Sequence, residues 1–265
     1  FSAVATAGFL VIAVSAWKVL HDTSSRYAFR QTLKAGAIYM FIGLLGAMGS
    51  GHMHTQYLAE ANPMKLASME ALWETEDPAP FAVYANIDED AHKNDTELTI
   101  PSLFSFMLYN KPTGEVKGIN ALQEELAQEY GPGDYRPDVT GLFYSFRLMV
   151  GLGGLMLLIA FVTFLVSWKK DPSDYPLLMR AIPWLFPIVF IVNSCGWYIA
   201  EGGRQPWIVV GLQKTAAAVS PNLTAGDVWI TMIGFTAVYL ALAIVALMLA
   251  FGYIRKHHIL SKRGN

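Results

Sequence analysis

A carboxylate, a guanidinium and a large aromatic crowd one short stretch of an otherwise apolar run: Trp197, Glu201 and Arg204. Trp197 and Glu201 are four residues apart, so on a helix they share a face. A charge in an apolar run needs a reason, because burying it unpaired is costly. Glu201 and Arg204 can form an ion pair at a membrane interface beside belt tryptophans, and spacing alone modestly favours that plain reading. They can also face a ligand together, as carboxylate, cation and indole. The Gly202-Gly203 step before Gln205-Pro206 is an ordinary helix stop.

Two further sets carry chemistry. Arg147 and Met149 open another apolar run. Two residues apart, they do not share a face of a straight helix, and the long arginine can snorkel toward the interface. A thioether suits low-spin haem iron, but a Met in an apolar helix is usually packing, and this chain has 11. Lys65 and Glu70 lie in an amphipathic polar segment. A solvated helix face is the plain reading there, and a polar head-group site beside the membrane is the functional one. His52 and His54 are expected in a solvated loop, and His257 and His258 in a basic end. There is no HExxH, CxxC, Walker loop or serine elbow, so hydrolytic and nucleotide-driven chemistry has no support. The single cysteine, Cys195, cannot form an intrachain disulfide.

The elements that position these residues follow from composition. The chain has 265 residues, 54% hydrophobic, 13% aromatic and only 15% charged, with a mean hydropathy of +0.36. Soluble chains carry about 25% charged residues, so an ordinary soluble enzyme is disfavoured. A net charge of -2 suggests no nucleic-acid partner. A bilayer core needs roughly 20 apolar helical residues. Five stretches qualify or nearly do: 1–20, 33–50, 141–168, 175–200 and 225–253. Glycines in the second are expected at close-packing positions, and Pro183 and Pro187 are expected to kink the fourth. The first residue is Phe1, with no basic region before the apolar run. A start inside a transmembrane helix is the simplest expectation, which makes the chain a fragment.

The fold expected is therefore all-α: a polytopic bundle of five transmembrane helices with a long extracytoplasmic loop. Its parts are two helices in 1–50, the loop in 51–140, three helices in 141–256 and a cytoplasmic tail in 257–265. The loop holds 16 of the 21 acidic residues and only 5 basic ones. The connections after spans one, three and five are basic. The positive-inside rule puts those three in the cytoplasm, and 51–140 and 201–224 outside. Arg147, Glu201 and Arg204 then fall in one layer near the outer surface. Within the loop, 63–75 and 120–130 have helical composition, and Gly131-Pro132-Gly133 ends the latter. Residues 77–80 and 87–95 look like turns and exposed loop.

These residues carry a resemblance. Gly203-Arg204-Gln205-Pro206-Trp207, with Trp197 and Glu201 upstream, resembles the signature of cytochrome bd-type quinol oxidase subunit I. Ser145-Phe146-Arg147-Leu148-Met149-Val150 is similar to that family's haem-ligand helix. Pro63-Met64-Lys65-Leu66-Ala67, with Glu70 and Trp73-Glu74-Thr75, is similar to its quinol-loop motif, and Leu223-Thr224-Ala225-Gly226-Asp227 to the start of a helix. The motifs occur in the family's order along nearly the whole chain.

The resemblance implies three haems: a low-spin haem b, a high-spin haem b and haem d. Met149 would be an axial ligand of the low-spin haem, with Arg147 near its propionates. Glu201 would ligate or flank the high-spin haem, Arg204 would stabilise propionates there, and Trp197 would lie between haems. Lys65 and Glu70 would belong to the quinol site. Quinol would be oxidised at the outer face of a bacterial cytoplasmic membrane. Electrons would pass to oxygen, which becomes water, with protons from the cytoplasm. The donor is ubiquinol or menaquinol, and the loop's similarity to the family's shorter form points to menaquinol. A second subunit and small single-helix subunits are implied as partners. Further helices of the family, with the haem d histidine and the histidine partner of Met149, have no counterpart in these residues. The alternative is a non-redox transporter or assembly subunit, with Glu201 and Arg204 as a gate or structural pair. The repeated halves of many transporters are not visible.

Overall fold

The computed structural model describes the backbone of residues 1–263, and the side chains at 250 and 253–263 lie outside the described set. It divides into two compact units, Phe1–Thr215 and Ala216–Asn265.

In the first unit, α1 (Ser2–His21) and α2 (Arg26–Ala61) form an antiparallel pair. Apolar helices gain no hydrophobic drive from meeting each other in lipid, so close backbone approach must hold them. The glycines supply it. A Cβ on Gly8 would stand 2.4 Å from the Met40 nitrogen, and one on Gly43 2.5 Å from the Ala5 nitrogen. Gly36 and Gly43 thus sit where the sequence expectation put close-packing positions. Helix α2 is longer than expected. No proline interrupts it before Pro63, and its last turn, Leu58-Ala59-Glu60-Ala61, is made of good helix formers. His52 and His54 therefore lie exposed on α2 rather than in a loop.

The polar segment then folds as a small layer. Asn62 caps α3 (Pro63–Glu70), its Oδ1 accepting from the Lys65 N–H at 3.1 Å, and Ala71 ends that helix with φ 49°. Residues 81–100, expected in part as turns and loop, form an antiparallel hairpin of β1 (Phe81–Asp88) and β2 (Lys93–Ile100). Its second strand is charged and mostly exposed, so composition alone concealed it. Helices α4 (Leu103–Tyr109) and α5 (Ile119–Tyr130) follow. The α5 bounds match the 120–130 expectation, and α4 was not anticipated. Buried Met64, Ala67, Trp73, Ala85, Ile119 and Phe143 knit α3, the hairpin and α5 to the next span.

That span is α6 (Val139–Lys169), capped by Asp138, whose Oδ1 accepts from the Gly141 N–H at 2.8 Å. The fourth stretch is two helices, α7 (Pro176–Leu185) and α8 (Ile188–Gly202), with the break at Phe186-Pro187. Pro183 stays inside α7. Helix α6 packs on α2 and α8, and α1 packs on α7. Arg30 Nε donates to the Ser167 carbonyl at 2.9 Å, and Lys34 Nζ stands 3.5 Å from the Trp168 ring centroid. The two basic connections of this unit thereby meet at one end. After α8, a short hairpin pairs β3 (Trp207–Val209) with β4 (Gln213–Lys214).

In the second unit, Thr224 and Asp227 form a capping box at the start of α9 (Ala225–Arg263). The Thr224 hydroxyl donates to Asp227 Oδ2 at 2.7 Å and accepts from the Asp227 N–H at 3.3 Å. The backbone stays helical past residue 256, where a tail was expected, and residues 264–265 lie outside the described set. The side chains of His257 and His258 are likewise outside it.

Candidate functional site

Glu70 and Arg147 find each other first. The two are 77 residues apart, and α3 lays Glu70 against the first turns of α6. Arg147 Nη2 donates to Glu70 Oε2 at 2.5 Å, and Nη1 to Oε1 at 3.3 Å. Nη1 also donates to the Met69 carbonyl at 2.6 Å and Nε to the Ala82 carbonyl at 2.8 Å, while Nη2 makes a further contact to that oxygen. All five guanidinium hydrogens are thereby accounted for. Phe143 stacks over the guanidinium at 3.9 Å and Phe81 at 4.6 Å. The Glu70 side chain is 3% exposed. Its burial pushes the carboxyl pKa up to about 7, against the pull of the Arg147 charge. Arg147 was expected beside a propionate; here its donors are spent on the loop, and it serves as the tie between α6, α3 and β1.

Met149 turns the other way, as its two-residue offset from Arg147 requires. Its Sδ lies 3.5 Å from where a Cβ on Gly196 would stand, in the seam between α6 and α8. Met69, Leu142, Phe146 and Ile199 form the buried cluster beside it. One turn further along the same face, Gly153 would meet nothing within 4 Å if it carried a Cβ. Gly8, Gly36, Gly43 and Gly46 of α1 and α2 are crowded, whereas Gly151, Gly153 and Gly154 of α6 are open.

At the end of α8, Arg204 Nη2 donates to Glu201 Oε2, so the expected ion pair is present. Trp197, one turn earlier, is 68% exposed on the same face. Arg204 Nε is buried and has no hydrogen-bond partner. Lys65 reaches this end from α3, with Nζ 3.5 Å from the Ala200 carbonyl oxygen. Burial lowers its pKa, and the charge of Arg204 lowers it further, while Glu201 opposes both. Lys65 and Glu70 are thus not brought to one pocket. The first serves the end of α8 and the second the start of α6.

Other contacts here had no signal in the sequence. Tyr198 donates to Asp138, the cap of α6. Trp207 of the signature is buried and stacks on Tyr135 at 5.7 Å between ring centroids, and Lys214 Nζ donates to the Tyr135 hydroxyl at 3.1 Å. Among the described residues, no three His, Cys, Asp or Glu side chains stand together as a cage for a bare metal ion.

Five spans long and apolar enough to cross a membrane, with a folded polar segment tied to α6 through Glu70 and Arg147 and to the end of α8 through Lys65, define a multi-pass membrane protein. The chain belongs to the cytochrome bd terminal oxidase subunit I family, whose sequence profile matches residues 1–258. It is 39% identical over 260 residues to cytochrome bd ubiquinol oxidase subunit 1 of Bacillus subtilis (strain 168), covering 97% of this chain and 54% of that protein. It is 26% identical over 307 residues to cytochrome bd-II ubiquinol oxidase subunit 1 of Escherichia coli (strain K12), covering 94% of this chain and 59% of that one. The structure of bd oxidase from Geobacillus thermodenitrificans superposes with a TM-score of 0.77 at 27% identity, over 95% of this chain and 55% of that chain. The chain therefore spans a little over half the length of the relatives it matches. This membership sets aside the transporter and assembly-subunit alternative.

Proposed function

We propose that this chain is the haem- and quinol-handling part of a bacterial quinol:oxygen oxidoreductase, with the polar segment 51–140 outside and the basic connections in the cytoplasm. One observation carries the reading: α3 delivers one charged side chain to each of the two spans that bear the candidate haem residues, Glu70 to α6 and Lys65 to α8. The names of relatives agree with it: the two above are ubiquinol oxidase subunits, and a third, from Bacillus subtilis (strain 168) and 32% identical, is named a putative menaquinol oxidase subunit. So does the meeting of two basic connections at one end of the first unit.

The residues present fit haem. Arg204 Nε is a buried donor without an acceptor, and a propionate supplies one. Met149 offers a thioether, and Gly153, one turn further along the same face, has no side chain and no neighbour within 4 Å of its missing Cβ. Met149 would hold one low-spin haem b, Glu201 would hold or flank a high-spin haem b, and Arg204 would balance propionate charge. Bound haem supplies one-electron redox chemistry and, with haem d, oxygen reduction.

The chain's own side chains do the rest. Glu70, held by Arg147, can accept or release a proton near neutral pH, as oxidation of a quinol requires. Lys65 adds positive charge beside Glu201 and Arg204. Trp197 presents an exposed aromatic face next to Glu201. Ubiquinol or menaquinol is the donor, and a second oxidase subunit with small single-helix subunits completes the complex. The test is a reduced-minus-oxidised visible spectrum of the full-length oxidase together with haem extraction and quinol-dependent oxygen uptake. Two b-type components, a d-type component and uptake are expected. A colourless, inactive preparation of the assembled complex overturns the reading.

A further inference from the structure

We propose that Gly203 is a positioning residue for Lys65: lacking a side chain, it leaves the seat across which the lysine stem lies to reach the end of α8. A Cβ on Gly203 would stand 2.8 Å from Lys65 Cγ and 2.9 Å from Lys65 Cε, closer than such contacts occur in proteins. The dihedral angles do not demand glycine there, because Gly203 has φ -69° and ψ -6°, ordinary right-handed values. Space is what it contributes. The same Cβ would also stand 2.8 Å from the Ile199 carbonyl oxygen, so the seat is bounded by α8 on one side and by the lysine on the other.

The seat determines where the ammonium goes. Lys65 is 8% exposed, and its Nζ faces the Ala200 carbonyl at the negative end of the α8 dipole. Glu201 and Arg204 are its neighbours in charge. Glu70 is not, since Arg147 holds it on the other side of α3. If Gly203 gains a side chain, the stem must lift, and the ammonium leaves both the helix end and the Glu201–Arg204 pair. The seat itself is a matter of geometry; its effect on quinol turnover rests on the oxidase reading above.

The test uses full-length oxidase carrying Gly203→Ala, Lys65→Ala or both. Acylation of Lys65 by an amine-reactive reagent is followed by mass spectrometry, with exposed Lys93 and Lys117 as internal standards. Lys65 is expected to label several-fold more slowly than the standards, and Gly203→Ala to raise its rate several-fold without changing theirs. In kinetics, Gly203→Ala and Lys65→Ala are expected to move the same parameter, quinol KM or kcat, and the double variant to be no worse than Lys65→Ala. Unchanged Lys65 labelling in Gly203→Ala, or two effects that simply add, overturns the proposal. If Gly203→Ala fails to assemble, recovery by a second Lys65→Ala change supports the seat and lack of recovery overturns it. Labelling is read without haem or turnover, so its outcome is separable from the failure of the oxidase reading.

Discussion

Arg147 and Glu70 form a buried ion pair in which Nη2 and Oε2 are 2.5 Å apart and Nη1 and Oε1 3.3 Å apart, and the other three guanidinium hydrogens go to the Met69 and Ala82 carbonyls. This pair joins the polar segment to α6. A buried pair that loses one member leaves an uncompensated charge and typically costs about 3–5 kcal/mol. Glu70→Ala is expected to lower the thermal stability of the full-length oxidase by an amount of that order. Phe143→Leu, which removes a ring stacked on the same guanidinium, is expected to cost less. Differential scanning fluorimetry measures both.

The same carboxyl gives a pH dependence of defined sign. Its pKa in the fold is raised from 4.5 to about 7. Between those values the native state binds more protons than the unfolded one, so stability falls as pH rises. Above about 7 the loss is complete. Glu70→Gln is expected to flatten the midpoint-versus-pH curve across this interval. An equal slope in both proteins rejects Glu70 as its source.

Met149→Leu keeps the volume of the side chain and removes the sulfur. Volume-conserving changes cost little in packing, about 1.5 kcal/mol or less. The complex is therefore expected to assemble and to lose the low-spin b component of the reduced-minus-oxidised spectrum. An unchanged spectrum sinks the ligand assignment.

Glu201→Ala is expected to abolish the high-spin haem signal or oxygen turnover while quinol still binds. Inhibitor-displacement binding measured beside oxygen uptake separates the two. For the loop, Lys65→Ala and Glu70→Ala are each expected to raise quinol KM or depress turnover. Intact values of both in both variants remove these residues from the quinol site.

Glycine substitutions distinguish crowded positions from open ones. Gly8→Ala drives a methyl into the Met40 backbone, and overpacking of this kind costs about 1–3 kcal/mol. Gly49→Ala on α2 meets nothing within 4 Å, and replacing a helical glycine by alanine gains roughly 0.5–1 kcal/mol. Thermal midpoints of the two variants should move in opposite directions.

Much of this protein is legible along the chain. Five spans, the polar segment between the second and third, the proline break at Pro187 and helix α5 were all readable, because each depends on about 10 to 20 consecutive residues and on local rules of length, capping and breaking. The β1–β2 hairpin was not. Its second strand, Lys93–Ile100, carries charge on an exposed surface and lacks the alternation that marks a half-buried strand. The full length of α2 was also missed, since a polar helical end outside the membrane looks like loop when only hydropathy is read.

The sequence by itself determined which residue types were available: three cations, two carboxylates, a thioether and an indole in three motifs that resemble one family. Only the tertiary structure decided how they pair. Lys65 and Glu70 are five apart on one short helix, a spacing that turns them to different sides, and which span meets each side is settled by how α3 docks on α6, with Lys65 reaching the end of α8. Arg147 spends its donors on the loop because burial requires every one of them to find an acceptor. Gly203 looked like a helix stop in the sequence, and its use as a seat for Lys65 exists only where two segments more than a hundred residues apart come within van der Waals reach.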